Sequence, residues 1–201
     1  MSERILEMIE GAARELKIGD PREPSTHVGP VIDAQAKAKL ERWIANPPGQ
    51  ARLRFRWDRF GAMPAVGTYV PPTIIELERA GDLRAEVFGP ILHVVRWRAD
   101  ELDALLDEIA GNRYGLTLGI HSRIDKTVDH VAARLSHGNL YVNRNMIGAV
   151  VGTQPFGGSG LSGTGPKAGG PDYLRRFASE QVVTINTAAA GGNASLLTAE
   201  E

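Results

Sequence analysis

Two short segments of the sequence contain residue types that could take part in chemistry. The first, residues 86–90, reads Glu-Val-Phe-Gly-Pro. A carboxylate at the entry of a strand, here that of Glu86, can accept hydrogen bonds from both hydroxyls of a ribose, and an adjacent aromatic ring, that of Phe88, can pack against a flat ligand ring. Taken alone, the segment is better interpreted as a solvated glutamate, a core phenylalanine and a Gly-Pro turn.

The second segment, residues 143–158, reads NRNMIGAVVGTQPFGG. Gly148 and Ala149 combine small side chains with accessible backbone N–H groups, so a turn at this point can hold a small carboxylate with backbone donors alone. Phe156 could form a wall of the same pocket. Taken alone, a glycine-rich surface loop is again the favoured interpretation.

Better-known catalytic and binding motifs are not supported. The five histidines have no i, i+4 pair of the kind found on zinc-binding helices and no cysteine to join them, so no metal site is predicted. Ser159 and Ser162 lack the glycine two residues later that a nucleophile elbow requires. Residues 158–163 fit G-x-G-x-x-G, but the preceding predicted strand ends well upstream and Pro166 argues against a helix opening there. Lys167 lacks the flanking residues of a P-loop lysine.

The composition excludes further classes of protein. The chain has 201 residues, 42% of them hydrophobic, a formal net charge of −1 and no cysteine. Without a surplus of basic residues it is not expected to bind nucleic acid, and no stretch approaches the roughly 20 apolar residues that a membrane helix needs. Residues 1–17 are amphipathic and mixed in charge, unlike a secretory signal, so a cytoplasmic protein is expected. Because cysteine is absent, the chain has no thiol nucleophile of its own.

The elements that would position the two segments alternate between helix and strand. Apolar periodicity predicts helices over residues 5–16, 36–44, 102–109, 128–135 and 171–177, the second of them capped by Asp33. It predicts strands over residues 53–57, 74–75, 91–97, 116–121, 139–143 and 181–186. The arginines at 52, 54 and 56 are expected to form the solvated face of an edge strand. The alternation in the second half predicts an α/β fold with a parallel-type sheet and flanking helices.

Taken together, the segments resemble the aldehyde dehydrogenase superfamily. Five stretches occur in that family's order and span most of the chain: GTYVPPT at 67–73, EVFGP at 86–90, NRYGL at 112–116, GNLYVN at 138–143 and PFGG at 155–158. Residues 142–177 and the AAAGGNASLL that follows are similar to L-glutamate γ-semialdehyde dehydrogenases, most closely to the dehydrogenase module of bifunctional proline utilization A proteins. That family oxidises the semialdehyde derived from 1-pyrroline-5-carboxylate to glutamate with NAD.

The resemblance implies that the first segment contacts NAD. Glu86 corresponds to the glutamate that binds the nicotinamide ribose hydroxyls, and Phe88 to the aromatic residue beside the nicotinamide. In the family a cysteine thiolate attacks the aldehyde, NAD accepts hydride, and a glutamate base activates the water that releases the acid. Neither the cysteine nor the base matches a position in this chain, so no catalytic residue is assigned and the isolated chain is expected to be inactive.

The second segment is implied to hold the substrate. Gly148 and Ala149 correspond to the aldehyde-anchor loop, whose N–H groups bind the α-carboxylate of the semialdehyde. Phe156 corresponds to an aromatic residue that flanks the aldehyde chain. Asn143 is implied to support the loop.

The resemblance also implies how the chain is organised. Residues 1–180 are expected to form the C-terminal part of an aldehyde dehydrogenase catalytic domain, with the cysteine and the Rossmann cofactor domain upstream of Met1. Residues 181–186 are expected to be an oligomerisation-flap strand, and residues 187–201 a mobile tail. The implied partners are a small aldehyde and either a second copy of the chain or the missing N-terminal part. The predicted function is a C-terminal fragment of the semialdehyde dehydrogenase; the alternative is a non-catalytic assembly domain derived from an aldehyde dehydrogenase.

Overall fold

The computed structural model describes residues 2–58, 63–150, 152–186 and 189. Two helices come first, α1 (Ser2–Arg14) and α2 (Ala34–Ala45). The carboxylate of Asp33 accepts a hydrogen bond from Ala36 N at 2.7 Å, so α2 begins at the cap that the sequence predicts. Leu40 and Ile44 form the buried side of α2.

A three-stranded sheet follows, composed of β1 (Arg52–Arg56), β2 (Thr73–Leu77) and β3 (Ile91–Val95). The central strand β2 is buried along its whole length, as expected of a strand covered on both faces. It pairs with β3 in parallel but with β1 in antiparallel orientation. The parallel-type sheet predicted from the sequence is therefore correct for β2 and β3, and β1 is an edge strand of opposite direction.

The second half of the chain contains α3 (Leu102–Gly111), β4 (Tyr114–Gly115), β5 (Thr117–Ile120), α4 (Asp125–Arg134), β6 (Asn139–Val142) and β7 (Ser159–Gly160). Strands β5 and β6 are parallel and are joined by α4, which is the crossover unit that the alternation predicts. Strands β4 and β7 form a separate antiparallel pair. The mixed α/β fold is confirmed, but its strands are divided among three small sheets because no ladder joins β3 to the later strands within the described residues.

Two of the three arginines of β1, Arg52 and Arg54, take part in ion pairs and are not simply solvated. Arg54, whose side chain is only 19% exposed, pairs with Glu3 and Glu10 on α1. Glu76 of β2 accepts hydrogen bonds from Arg52 and Arg96. The prediction of a solvated arginine face is wrong for Arg54 because α1 packs beside the sheet and presents carboxylates to it.

The C-terminal segment departs most from the prediction. Instead of a helix over residues 171–177, a single 3-10 turn forms at Leu174–Phe177. Residues 181–186 pair with no other strand in the described part of the chain, and Val182 is 80% exposed. A strand whose partner edge belongs to another subunit would have no ladder in a single chain, so the oligomerisation strand stays a prediction. The predicted tail, apart from residue 189, lies outside the described residues.

None of the described helices is long and apolar enough to cross a membrane.

Candidate functional site

Glu86 and Phe88 lie in the connection that leads from β2 to β3. Both side chains are exposed, that of Phe88 to 82%. The connection itself is fixed: Pro90 O accepts a hydrogen bond from Thr73 N at 2.9 Å, and a Cβ atom at Gly89 would lie 2.4 Å from a methyl carbon of Leu40. Gly89 therefore allows the backbone to lie directly on α2. The two side chains thus project from a rigid turn, and the prediction that Phe88 serves the core is excluded.

A cavity of about 380 Å³ opens beside Glu86. Its polar lining residues are Glu86, His93, Asn112, Tyr114, Thr117, His137 and Ser162. The hydroxyl of Tyr114 accepts a hydrogen bond from Glu86 N at 3.2 Å, and Ser162 Oγ accepts one from Gly115 N at 3.1 Å. Both hydroxyl protons thus remain available to donate, so the cavity has polar groups suited to a hydroxylated ligand.

Burial lowers the pKa of two imidazoles that line the cavity. Burial lowers the pKa of His93, whose Nε2 accepts a hydrogen bond from Trp43 Nε1 at 2.9 Å. Burial also lowers the pKa of His137, whose Nδ1 is buried and has no hydrogen-bond partner among the described residues. A buried polar atom without a partner costs free energy unless a ligand, water or another chain satisfies it.

Tyr141 binds the backbone of the predicted anchor loop. This tyrosine is buried in β6, and its hydroxyl donates to Gly148 O at 2.8 Å. Gly148 has a φ of +63°, in the left-handed region that glycine adopts without strain. No described group accepts a hydrogen bond from the N–H of Gly148 or of Ala149. The loop therefore presents two successive backbone donors that have no acceptor among the described residues, and successive backbone donors of this kind can bind a small anion.

Asn143 forms its side-chain hydrogen bonds outside the predicted anchor loop. Its side chain binds the backbone of Ser122, accepting from N at 3.0 Å and donating to O at 2.9 Å. These bonds tie the end of β6 to the segment after β5. Asn143 also has a φ of +54°, a left-handed conformation at the first residue after β6. Its role in supporting the loop stays a prediction.

Phe156 is half-buried, and its backbone is held on both sides. Phe156 N donates to Ala168 O at 3.1 Å, and Ala168 N donates to Phe156 O at 2.9 Å. The side-chain amide of Asn139 donates to Pro155 O at 3.0 Å. Lys167 Nζ donates to Gly157 O at 2.7 Å. The backbone around Phe156 is therefore held by hydrogen bonds from three directions, although the sequence alone favoured a glycine-rich surface loop.

The segment at residues 86–90 and the segment at residues 143–158 are connected through backbone pairing, and the predicted substrate residues are not part of the cavity beside Glu86. Gly148, Ala149 and Phe156 do not line the cavity beside Glu86. The connection runs through the short β4–β7 pair, in which Tyr114 lies opposite Gly160. The cofactor and substrate roles of these residues stay predictions.

The sequence matches the profile of the aldehyde dehydrogenase family over residues 1–183. The chain belongs to the aldehyde dehydrogenase family. The resemblance carried by the five collinear stretches is thereby confirmed.

Known members of the aldehyde dehydrogenase family that are similar to this chain are considerably longer. Bifunctional protein PutA from Klebsiella aerogenes is 51% identical over 185 residues, which cover 90% of this chain but 14% of that protein. A crystal structure of a mutant of Bradyrhizobium japonicum Proline Utilization A (PutA) matches with a TM-score of 0.83 at 60% identity, covering 94% of this chain and 19% of that one. The chain therefore spans less than a fifth of the length of these relatives.

A third member of the family was solved with a ligand. This is 1-pyrroline-5-carboxylate dehydrogenase from Thermus with bound NAD, which matches with a TM-score of 0.75 at 34% identity. The match covers 88% of this chain and 33% of that structure.

Three residues that hold the candidate site segments in place were not identified from the sequence. Tyr114 and Tyr141 lie in the NRYGL and GNLYVN stretches, where each looks like an ordinary core aromatic. Lys167 was considered only as a P-loop lysine. The signal for Tyr141 is its place in a strand that leads directly into the anchor loop, whereas nothing in sequence spacing indicates the contact of Lys167 with Gly138 and Gly157.

Proposed function

We propose that this chain supplies the substrate-anchoring and nicotinamide-ribose contacts of an NAD-dependent L-glutamate γ-semialdehyde dehydrogenase. The observation that carries the proposal is the pair of N–H groups at Gly148 and Ala149, which donate to no group in the described part of the chain. The α-carboxylate of glutamate semialdehyde is a small anion that two successive backbone donors can bind without a charged side chain. The names of the relatives, PutA and 1-pyrroline-5-carboxylate dehydrogenase, support the same substrate.

The cofactor side of the proposal depends on Glu86. Its exposed carboxylate can accept hydrogen bonds from the two hydroxyls of the nicotinamide ribose, and the exposed ring of Phe88 offers a flat apolar surface next to it. The Thermus relative with bound NAD supports this assignment. When bound, NAD supplies the acceptor for the hydride of the aldehyde. The residues of this chain hold and orient it.

A thiol nucleophile for this reaction would have to come from residues outside these 201. The chain contains no cysteine, whereas the chemistry of the family begins with a thiolate. The relatives have a large additional length that this chain does not match. We therefore infer that the chain functions as the C-terminal part of a larger dehydrogenase, or together with a separate chain that carries the thiol.

A graft tests this proposal. The matching segment of Bradyrhizobium japonicum PutA is replaced by this chain, and NADH formation from glutamate semialdehyde is measured for the graft and for the isolated 201-residue chain. We expect turnover by the graft and none by the isolated chain. Turnover by the isolated chain would contradict the missing-nucleophile argument. A graft that is folded, as judged by circular dichroism, but has no turnover would contradict the proposed function.

The assembly role remains a second candidate because of one observation. Val182, Val183 and Ile185 are 70–80% exposed in a segment that pairs with no described strand. Such a segment can add a strand to the sheet edge of another subunit. If the chain acts only in assembly, it will co-purify with a full-length aldehyde dehydrogenase, and Val183→Lys will abolish that association. In that case the graft should lack turnover.

A further inference from the structure

Lys167 joins two segments that are distant in sequence. Its ammonium group donates a hydrogen bond to Gly157 O at 2.7 Å and another to Gly138 O at 2.5 Å. Gly138 is the residue immediately before β6, and Gly157 immediately follows Phe156. The lysine is half-buried and forms no ion pair with any described carboxylate. Two carbonyl oxygens are therefore the groups that compensate its charge.

The packing around this ammonium leaves no room for a side chain at Gly138. A Cβ atom on Gly138 would lie 1.7 Å from Gly157 O and 2.8 Å from Lys167 Nζ, whereas one on Gly157 would lie 3.3 Å from Lys167 Cα. Gly138 is needed because the backbones must approach closely enough for one ammonium to reach both carbonyls. Hydrogen bonds to a charged donor are about twice as strong as neutral ones, so this contact fixes the separation of the two backbones.

The residue after Lys167, Ala168, is hydrogen-bonded to the backbone of Phe156. Ala168 exchanges two backbone hydrogen bonds with Phe156. Lys167 and Ala168 therefore bind two consecutive residues, Gly157 and Phe156. Asn139 adds a third connection, because its side chain donates to Pro155 O and accepts from Gly157 N at 3.4 Å. The backbone of residues 155–157 is thus held by Lys167, Ala168 and Asn139 together.

We propose that Lys167 is a positioning residue that fixes the segment of Phe156 against the start of β6, and that it thereby holds Phe156 in the place where it is proposed to flank the aldehyde chain. The substrate part of this inference rests on the proposed function. Lys167 itself touches no substrate. It acts through Phe156, whose displacement by about 1 Å would be enough to cost as much as 100-fold in rate.

The first test measures local protection in the full 201-residue chain. Amide hydrogen exchange is followed in Lys167→Met, in Lys167→Arg and in Lys126→Met, a matched control at an exposed lysine of α4 that has no hydrogen bond or ion pair with any described residue. We expect exchange at Phe156 and Gly157 to accelerate at least about tenfold in Lys167→Met. Lys167→Arg should retain most of the protection, and Lys126→Met all of it. Unchanged exchange in Lys167→Met would overturn the proposal.

The second test measures kinetics in the graft into Bradyrhizobium japonicum PutA. We expect Lys167→Met to lower kcat/KM for glutamate semialdehyde roughly 10- to 100-fold while KM for NAD stays the same. Phe156→Ala should lower it similarly, and the double variant should lose no more than either single variant. Equal changes in both KM values, or unchanged kinetics in Lys167→Met, would overturn the positioning role. A graft that is inactive before any substitution would instead contradict the proposed function, and the exchange data would then decide whether Lys167 fixes Phe156.

Discussion

The hydroxyl of Tyr114 accepts a hydrogen bond from the backbone N–H of Glu86, with 3.2 Å between the two atoms. This contact joins the turn before β3 to β4, and β4 in turn pairs with β7 next to the glycine-rich segment. The carboxylate proposed to bind ribose is therefore positioned by a residue from the other half of the chain.

Removal of that hydroxyl should weaken the cofactor contact. In the graft, Tyr114→Phe should raise KM for NAD about two- to tenfold, the range expected for loss of one neutral hydrogen bond, while KM for the aldehyde changes little. Tyr173→Phe is the matched control, because the Tyr173 ring contacts Phe177 edge-to-face and its hydroxyl has no described hydrogen bond. A rise in KM for the aldehyde alone would contradict the role assigned to Tyr114.

A methyl group at Gly148 should impair recognition of the carboxylate. Because Gly148 has a φ of +63°, alanine is strained there by about 1–2 kcal/mol, and KM for the semialdehyde in the graft should rise roughly 5- to 30-fold. Propanal, which has no carboxylate, should be oxidised at the same rate by Gly148→Ala and by the unsubstituted graft. Gly165→Ala is the control, since Gly165 also has a positive φ and open space around it. If Gly148→Ala slows oxidation of both aldehydes equally, the loop does not bind the carboxylate and the prediction is wrong.

The stability of the chain should decrease as the pH falls through the range in which histidine titrates. Burial lowers the pKa of His93 and of His137, so the unfolded chain takes up protons at a higher pH than the folded chain. Above the ordinary histidine pKa of about 6.5, the imidazoles are neutral in both states and the free energy of unfolding keeps its full value. As the pH falls through that value, the unfolded chain binds protons first and the free energy of unfolding decreases. Urea titrations between about pH 7.5 and pH 5.5 measure the decline.

Glutamine at both positions should flatten this decline. In His93→Gln the side-chain carbonyl can still accept the hydrogen bond from Trp43 Nε1 but no longer titrates. The exposed His121→Gln serves as the control and should retain the slope of the unsubstituted chain. A double variant of His93 and His137 with that same slope would refute this explanation.

Loss of the charge on Glu76 should destabilise the fold. The residue is 9% exposed and accepts hydrogen bonds from Arg52 and Arg96. Burial alone would raise the pKa of Glu76, but the two guanidinium groups outweigh it, so the pKa is lowered. Glu76→Gln should lower the free energy of unfolding by about 2 kcal/mol in urea titrations, because it leaves both cations with weaker acceptors. Asp100→Asn, in an exposed pair with Arg98, should change it little; equal effects would contradict the role of burial.

The sequence predicted local features better than long-range contacts. The cap at Asp33, the crossover through α4 and the turn at residues 86–90 follow from residue types within a few positions of each other, and they were correct in placement. The contacts of Lys167 with Gly138 and Gly157 and of Tyr114 with Glu86 join residues that are 10 to 29 positions apart. Such contacts depend on tertiary packing, which spacing in the sequence does not encode.

Phe88 and residues 181–186 show the other reason for incomplete prediction. Apolar character favours burial, yet Phe88 is exposed and the strand-like segment has no described partner. Hydrophobic patterning indicates that a residue should be covered but does not tell whether the cover comes from the same chain, another chain or a ligand.

A structure of the graft with bound glutamate, the product of the proposed reaction, tests the central claim most directly. We predict that the α-carboxylate oxygens lie about 3 Å from the backbone nitrogens of Gly148 and Ala149, the distance of a hydrogen bond, and that Tyr141 keeps its contact with Gly148 O. A glutamate bound with its α-carboxylate elsewhere, while both N–H groups remain without a partner, would contradict the account.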